Sequence, residues 1–198
     1  MLVDTDLLLK YGGLKEKFAP SQTIFAEGDY PAFYYQVISG SVKLNHFDDE
    51  DRELIQSILY EGQSVCELLS LTDEKFPINA VAMTHAVIMK VPSDSFSDLL
   101  RENPQVAIAV QRFTAERLFH KFIWMQNNAS KYSRVRICGI LKYFKSLSID
   151  QSPLSYKLPL TRQQLASIRG LRIETVIRTV KKMEREKLLA IKNGKIYF

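Results

Sequence analysis

The C-terminal end of the chain constrains the fold most. Thr161 is followed three residues later by Gln164, the spacing of a capping box, in which the hydroxyl accepts an orphan N–H and the amide reaches back. The short helix so begun carries Leu165, Ala166 and Ile168 and is predicted to end at Gly170. A second helix is predicted from about Ile173 to Glu186. Its Val176, Val180 and Met183 recur at i, i+4 and i+7 as one buried face, with Glu174, Arg178, Lys181 and Arg185 opposite. Asn193-Gly194, between Leu188–Ile191 and Lys195–Phe198, is a strong two-residue hairpin signal. Two short helices across a tight glycine turn, then a hairpin, make a winged helix-turn-helix.

Charge supports a special role for this end. Of 198 residues, those up to 127 hold 11 Lys/Arg and 18 Asp/Glu, whereas residues 128–198 hold 16 and 4. The net +5 hides an acidic part and a basic part. Such a split points to a nucleic-acid or anionic partner for the basic end, the plain alternative being a solvated Lys-rich face. Two cysteines, Cys66 and Cys138, are too few for a disulfide framework, and a reducing cytoplasm is expected. The N-terminus lacks the basic region of a secretory signal, and no apolar run reaches the ~18 residues of a membrane span. The chain is also expected to end on its wing, without a further tail.

The upstream texture differs. Residues 1–17 read as a short helical entry, with Leu7, Leu8, Tyr11 and Leu14 near helical spacing. From Phe18 to Pro92, short β-rich runs alternate with turn residues, the pattern of a sandwich, barrel or jelly roll. Gly28, Gly40 and Gly62 are expected where the backbone needs a positive φ. Asp48 to Asp51 reads as a solvated hairpin tip, since it lacks the spacing of a calcium loop. Ser93 is a candidate N-cap for a short helix to Leu100.

After Asn103-Pro104 no Pro or Gly interrupts residues 105–130, and about 24 helical residues span roughly 36 Å. Val106, Val110 and Phe113 form one apolar face. Ile108, Ala115, Leu118, Phe122 and Met125 form a second at seven-residue-like spacing. Two faces call for two partners: the β-rich part and the same helix of a second subunit, unless the helix is buried within a monomer. Asn127 to Lys131 is a candidate hinge, and Ser133 to Leu147 a further helix with Val135, Cys138, Leu141 and Phe144 near one face. The expected organisation is α+β: a β-roll of the double-stranded β-helix, jelly-roll type with short helices over residues 1–103, a dimerisation helix over 104–127, and a winged helix-turn-helix over 128–198.

On the second helix, Arg178 can donate two hydrogen bonds to guanine, Glu174 can accept from cytosine, and Ile173 can touch a thymine methyl. Glu174 and Arg178, at i and i+4, could equally form a surface ion pair. Thr161, Arg162, Gln163, Arg172 and Thr175, with Lys192 and Lys195 on the wing, suit phosphate contacts, which set register without reading sequence.

The chain resembles the CRP/FNR family of bacterial transcription regulators over roughly residues 15–198. Three blocks carry the likeness: Glu27-Gly28-Asp29 through Ser39-Gly40-Ser41-Val42-Lys43-Leu44 to Glu61-Gly62; the long helix after Asn103-Pro104; and Leu160-Thr161-Arg162-Gln163-Gln164-Leu165-Ala166 with Glu174-Thr175-Val176-Ile177-Arg178. The resemblance implies a cyclic-nucleotide-binding-type jelly roll, a dimerising helix and a DNA-binding winged helix. It further implies double-stranded DNA with a pseudo-palindromic operator, two-fold dimers, contact with RNA polymerase, and no membrane partner. Its effector motif is Gly-Glu-Leu followed by Arg-Ser/Thr-Ala. Here the first reads Cys66-Glu67-Leu68, and the second falls near Pro77-Ile78-Asn79-Ala80, with no arginine for a cyclic phosphate. The family's adenine contacts fall near Lys121 and Phe122, also a mismatch. Cyclic AMP is therefore not expected as a tight ligand, Glu67 reads as a structural remnant, and no cofactor is expected.

Other sensors are unsupported by the residues. Four thiolates for an iron–sulfur cluster are missing, and His46, His85 and His120 have no metal spacing. That argues equally against a cupin-like metal oxygenase on the jelly roll. Cys66 could serve as a redox-sensitive thiol, or be buried and inert. The alternative to a DNA-binding regulator is a small-molecule or protein-docking sensor with weak or lost DNA binding, which the basic segment and the helix-turn-helix pattern oppose.

Overall fold

A computed structural model describes residues 2–67, 69–72, 74–146 and 148–198. The chain divides into two compact units, Met1–Leu118 and Phe119–Phe198. Among the described residues, no helix is long and apolar enough to cross a membrane.

The first unit opens with α1 (Thr5–Lys10), capped by Asp4, whose carboxylate accepts from the N–H groups of Asp6 and Leu7. The helical entry expected over residues 1–17 stops there. Gly12 adopts φ +80°, and Leu14–Phe18 is a strand, β1. Leu14 fits the helical spacing of Leu7 and Tyr11, but the glycine pair reverses the chain before its turn is reached. The strands that follow are β2 (Thr23–Phe25), β3 (Phe33–Ser39), β4 (Ser41–Phe47), β5 (Glu53–Tyr60), β6 (Ser64–Val65), β7 (Asn79–Ala82) and β8 (Ala86–Pro92). They make two antiparallel four-stranded sheets, ordered β1-β8-β3-β6 and β2-β7-β4-β5. This is the expected jelly-roll layering, apart from β6, which is too short to show a period in the sequence.

Alternate residues of both sheets meet in an apolar core that includes Phe25, Tyr35, Leu44, Phe76, Ile78 and Ile88. Phe25 and Phe76 stack with ring centroids 3.8 Å apart. Gly40, between β3 and β4, has φ +86°, and a Cβ there would lie 2.4 Å from the His85 carbonyl oxygen. Both the turn and the neighbouring strand therefore require glycine.

Helix α2 (Ser93–Glu102) follows β8. Ser93 is its first residue rather than its cap: the cap position is Pro92, and the Ser93 hydroxyl donates to the Pro31 carbonyl at 2.6 Å. Helix α3 runs from Pro104 to Asn128. In the first unit, Val110 and Val106 pack with Leu8, Tyr34, Met89 and Phe96 in a second apolar cluster, as the first face of α3 predicts. The second face stays open in the single chain: Ile108, Leu118, Phe122 and Met125 are 48, 50, 54 and 67 % exposed.

The second unit contains α4 (Ser133–Ser146), α5 (Arg162–Arg169), α6 (Ile173–Arg185), β9 (Ala190–Lys192) and β10 (Lys195–Tyr197). Its core joins Ile137, Ile140, Leu141 and Phe144 of α4 to Leu165, Val176, Val180 and Met183. The expected buried face of α4 is rotated: Leu141 and Phe144 are buried, but Val135 is 44 % exposed and Cys138 half-buried, their places taken by Ile137 and Ile140. The hydrophobic run in α4 offers more than one stripe, and packing against α5 and α6 chooses between them. Leu147, the expected last residue of this helix, lies outside the described residues.

Candidate nucleic-acid interface

The capping box forms. Gln164 N–H donates to Thr161 Oγ1 at 3.1 Å, and Thr161 N–H donates to Gln164 Oε1 at 2.8 Å. Helix α5 ends at Gly170 in the left-handed region, φ +55°, where the N–H of Leu171 reaches back to the Ala166 carbonyl at 3.0 Å. Arg172 is the N-cap of α6 without a side-chain cap bond. A left-handed residue that satisfies the last carbonyls of one helix lets the next start three residues later, at a new angle.

On α6, Val176, Thr179, Val180 and Met183 are buried, while Glu174, Arg178, Lys181 and Arg185 are exposed. Ile173 and Thr175 are half-buried. The ion pair open to Glu174 and Arg178 is not made: among the described residues no salt bridge joins them, so both heads are free for another partner. Ile177, 39 % exposed, belongs to the same outward face. Its i+3 spacing from Glu174 accounts for that placement. Between α6 and the start of α4, Arg178 and Lys182, with Tyr132 and Arg134, line a cavity of about 560 Å³.

Among the phosphate candidates, Thr161, Gln163, Arg172, Lys192 and Lys195 are exposed. Arg162 is half-buried, and burial lowers its guanidinium below the usual value against the opposing pull of Glu184. The wing closes through Asn193 (φ +49°) and Gly194 (φ +71°), with Lys192 opposite Lys195. Two central residues of positive φ are the hairpin turn that the Asn-Gly pair favours. A third segment, unread in the sequence, extends the wing: Leu158 N–H donates to the Ile196 carbonyl at 2.9 Å, and Phe198 N–H to Tyr156 O at 3.0 Å. Its polar, proline-containing approach hides it, because the pairing is decided about forty residues away in the chain.

The effector candidates fall differently. Cys66 holds φ +55°, the backbone region that favours glycine. Glu67 is 3 % exposed, and both carboxylate oxygens are engaged within the first unit. Arg117 Nη1 pairs with Oε2 at 2.8 Å, Ser64 Oγ donates to Oε2 at 2.8 Å, and Thr114 Oγ1 donates to Oε1 at 3.0 Å. Arg117 and Thr114 were missed in the sequence, where nothing links them to a residue some fifty positions earlier. Leu68 lies outside the described residues. Ile78 is buried in the roll core. Asn79 accepts from Glu27 N–H at 2.9 Å and donates to the Asn45 carbonyl at 3.3 Å. Lys121 and Phe122 are exposed on the part of α3 in the second unit.

Comparison with known proteins agrees with this anatomy. The family model of the cyclic nucleotide-binding domain matches residues 15–103, and that of the Crp-like helix-turn-helix domain matches residues 135–198. The chain is 26 % identical to the nitrogen fixation regulation protein FixK of Bradyrhizobium diazoefficiens, over 93 % of this chain and 77 % of that protein. It is 27 % identical to the cAMP-activated global transcriptional regulator CRP of Haemophilus influenzae, over 87 % of this chain and 78 % of that one. The solved structure of the c-di-GMP responsive regulator CLP of Xanthomonas campestris superposes with a TM-score of 0.78 at 20 % identity, covering 96 % of this chain and 97 % of that one. A β-roll with the cyclic-nucleotide-binding pattern, followed by a capped helix-turn-helix and its wing, makes this chain a CRP/FNR family transcription regulator with a helix-turn-helix DNA-binding domain.

Proposed function

We propose that the protein works as a homodimer that reads a pseudo-palindromic operator in double-stranded DNA and is not controlled by cyclic AMP. Its parts are a sensing β-roll over residues 1–103, a dimerisation helix over 104–127 and a reader over 128–198. The outward face of α6 carries this reading: Glu174 and Arg178 stand exposed with no salt bridge between them. Arg178, Glu174 and Ile173 read base edges. Thr161, Arg162, Gln163, Arg172, Thr175, Lys192 and Lys195 hold phosphates and set register. The exposed stripe Ile108, Ala115, Leu118, Phe122 and Met125, with its seven-residue-like spacing, supports dimerisation. RNA polymerase is the expected protein partner on DNA.

Two observations support independence from cyclic AMP. The carboxylate of Glu67 is spent on Arg117, Ser64 and Thr114, and the position of a phosphate-binding arginine holds Pro77 or the buried Ile78. The remaining effector candidates read from the sequence, Cys66, Leu68, Asn79, Lys121 and Phe122, are the residues to substitute once an effector is found. The test is operator selection from random duplex DNA, followed by gel shifts. Arg178→Ala is expected to cost about 1–3 kcal/mol at the selected site and to relax its specificity. An equal loss on all DNA would make Arg178 a phosphate contact instead. Calorimetry is expected to show no micromolar binding of cyclic AMP, and sedimentation a dimer that Leu118→Glu dissociates.

A further inference from the structure

Arg169 closes α5, yet its residue is 0 % exposed. Of its guanidinium donors, Nη1 meets Asn128 Oδ1 at 3.0 Å, while Nε and Nη2 are buried with no hydrogen-bond partner. These two nitrogens form one edge of the planar group, the fork that meets two oxygens of an oxyanion side by side. No carboxylate answers it: among the described residues Arg169 makes no ion pair. Burial, and then the neighbouring Arg136 cation, pull it down to about 10.

Its other neighbours are the face of the Trp124 ring, which meets the cation from one side, and Arg136, a donor like itself. Arg136 gives Nη2 to the carbonyl oxygens of Arg169 and Gly170, which leaves its Nε buried and unbonded. Trp124, whose ring lies 5.3 Å from the Arg169 guanidinium carbon, buries an Nε1–H that is also unbonded. Buried polar groups in proteins have partners as a rule. Here four buried donor atoms, three of them on two cations, are gathered without an acceptor.

We propose that Arg169, Arg136 and Trp124 form a binding site for a small oxyanion (a carboxylate, phosphate or sulfate group), held two-pronged on the Nε/Nη2 edge of Arg169. The site lies under the turn of the helix-turn-helix, since Gly170 follows Arg169 and α6 begins at Ile173. An anion there ties that turn to the last part of α3 and the first turn of α4, and so stiffens the reader without touching its DNA-facing side chains.

Trp124 is the single tryptophan of the chain, so its emission reports on this place alone. The full chain is titrated with sodium phosphate, sulfate and acetate, with chloride holding ionic strength constant. A saturable change in Trp124 emission is expected with at least one of the three. Resistance to unfolding should rise with it, by about 100-fold in the folded-to-unfolded ratio when the anion stands at 100 times its dissociation constant. Arg169→Leu should abolish the response. Arg169→Lys keeps the charge but loses the fork and should weaken binding about tenfold, which carries the test alone if the leucine variant does not fold. An absent or non-saturating response to all three anions in the unmodified chain overturns the proposal. So does a response unchanged in either variant, which would assign it to the many exposed lysines and arginines.

Discussion

Among the described residues, each compact unit fully buries one charged side chain, Glu67 or Arg169, and the two are treated in opposite ways. In the first, Glu67 receives an arginine and two hydroxyls, and every oxygen is answered. In the second, Arg169 receives one side-chain amide oxygen and the face of the Trp124 ring, and its Nε and Nη2 go unanswered. The first arrangement is a finished structural tie between the turn after β6 and helix α3. The second is complete only with a further acceptor. Burial by itself therefore says little about role; the count of satisfied partners separates a brace from a site.

The sharpest way to break this comparison is to remove the partner from the finished tie. Arg117→Ala leaves Glu67 buried and uncompensated, and should lower the stability of the first unit by about 3 kcal/mol in urea unfolding followed by circular dichroism. Joint replacement of Glu67 and Arg117 by leucine should recover most of that loss. Thr161→Ala is a control in the second unit that touches neither charge. It removes an N-cap bond of α5 and should cost about 1 kcal/mol by the same measurement. Arg169→Leu should behave oppositely to Arg117→Ala: in buffer free of oxyanions it should leave stability unchanged or raise it by up to about 1 kcal/mol, because an uncompensated buried charge is replaced by an apolar side chain.

Alkaline pH offers a smaller contrast. Burial pushes the Tyr35 hydroxyl up to about 12. Its contribution is full below the ordinary value of 10.0, and is lost as the pH climbs from there towards 12, because the unfolded chain ionises first. Arg169 runs the other way. Held at about 10 against an ordinary 12.5, it loses its proton first in the folded state, so its contribution to stability grows over that range. Thermal melts between pH 9 and 11 should show a decline that Tyr35→Phe reduces and that Arg169→Leu steepens.

What was legible in the sequence follows from how local each feature is. The capping box of Thr161 and Gln164, the Asn193-Gly194 turn and the buried stripe of α6 all depend on residues within four positions of one another, and they form as read. In the first unit distant pairing overrides local pattern. Leu14 shares a helical spacing with Leu7 and Tyr11, yet lies in a strand, because Lys15 to Phe18 find partners on β8, some seventy residues on. The rotated face of α4 and the wing segment at 156–158 failed for the same reason: several apolar or polar patterns were compatible with the local chain, and the choice among them was made by distant neighbours.

The residues by themselves determined that a glycine-punctuated β-roll precedes a long helix and a winged helix-turn-helix, since periodicity, caps and turn chemistry are properties of short stretches. They also determined that no arginine stands at Pro77 or Ile78 in the effector motif, because that is a matter of the residues alone. Tertiary structure alone decided the fates of the two buried charges. Glu67 acquired Arg117 and Thr114 from a helix far along the chain. Arg169, which in sequence is an ordinary cation in the last turn of a helix, was carried out of water among other donors. Desolvation and long-range pairing depend on which surfaces meet, and no local pattern encodes that meeting.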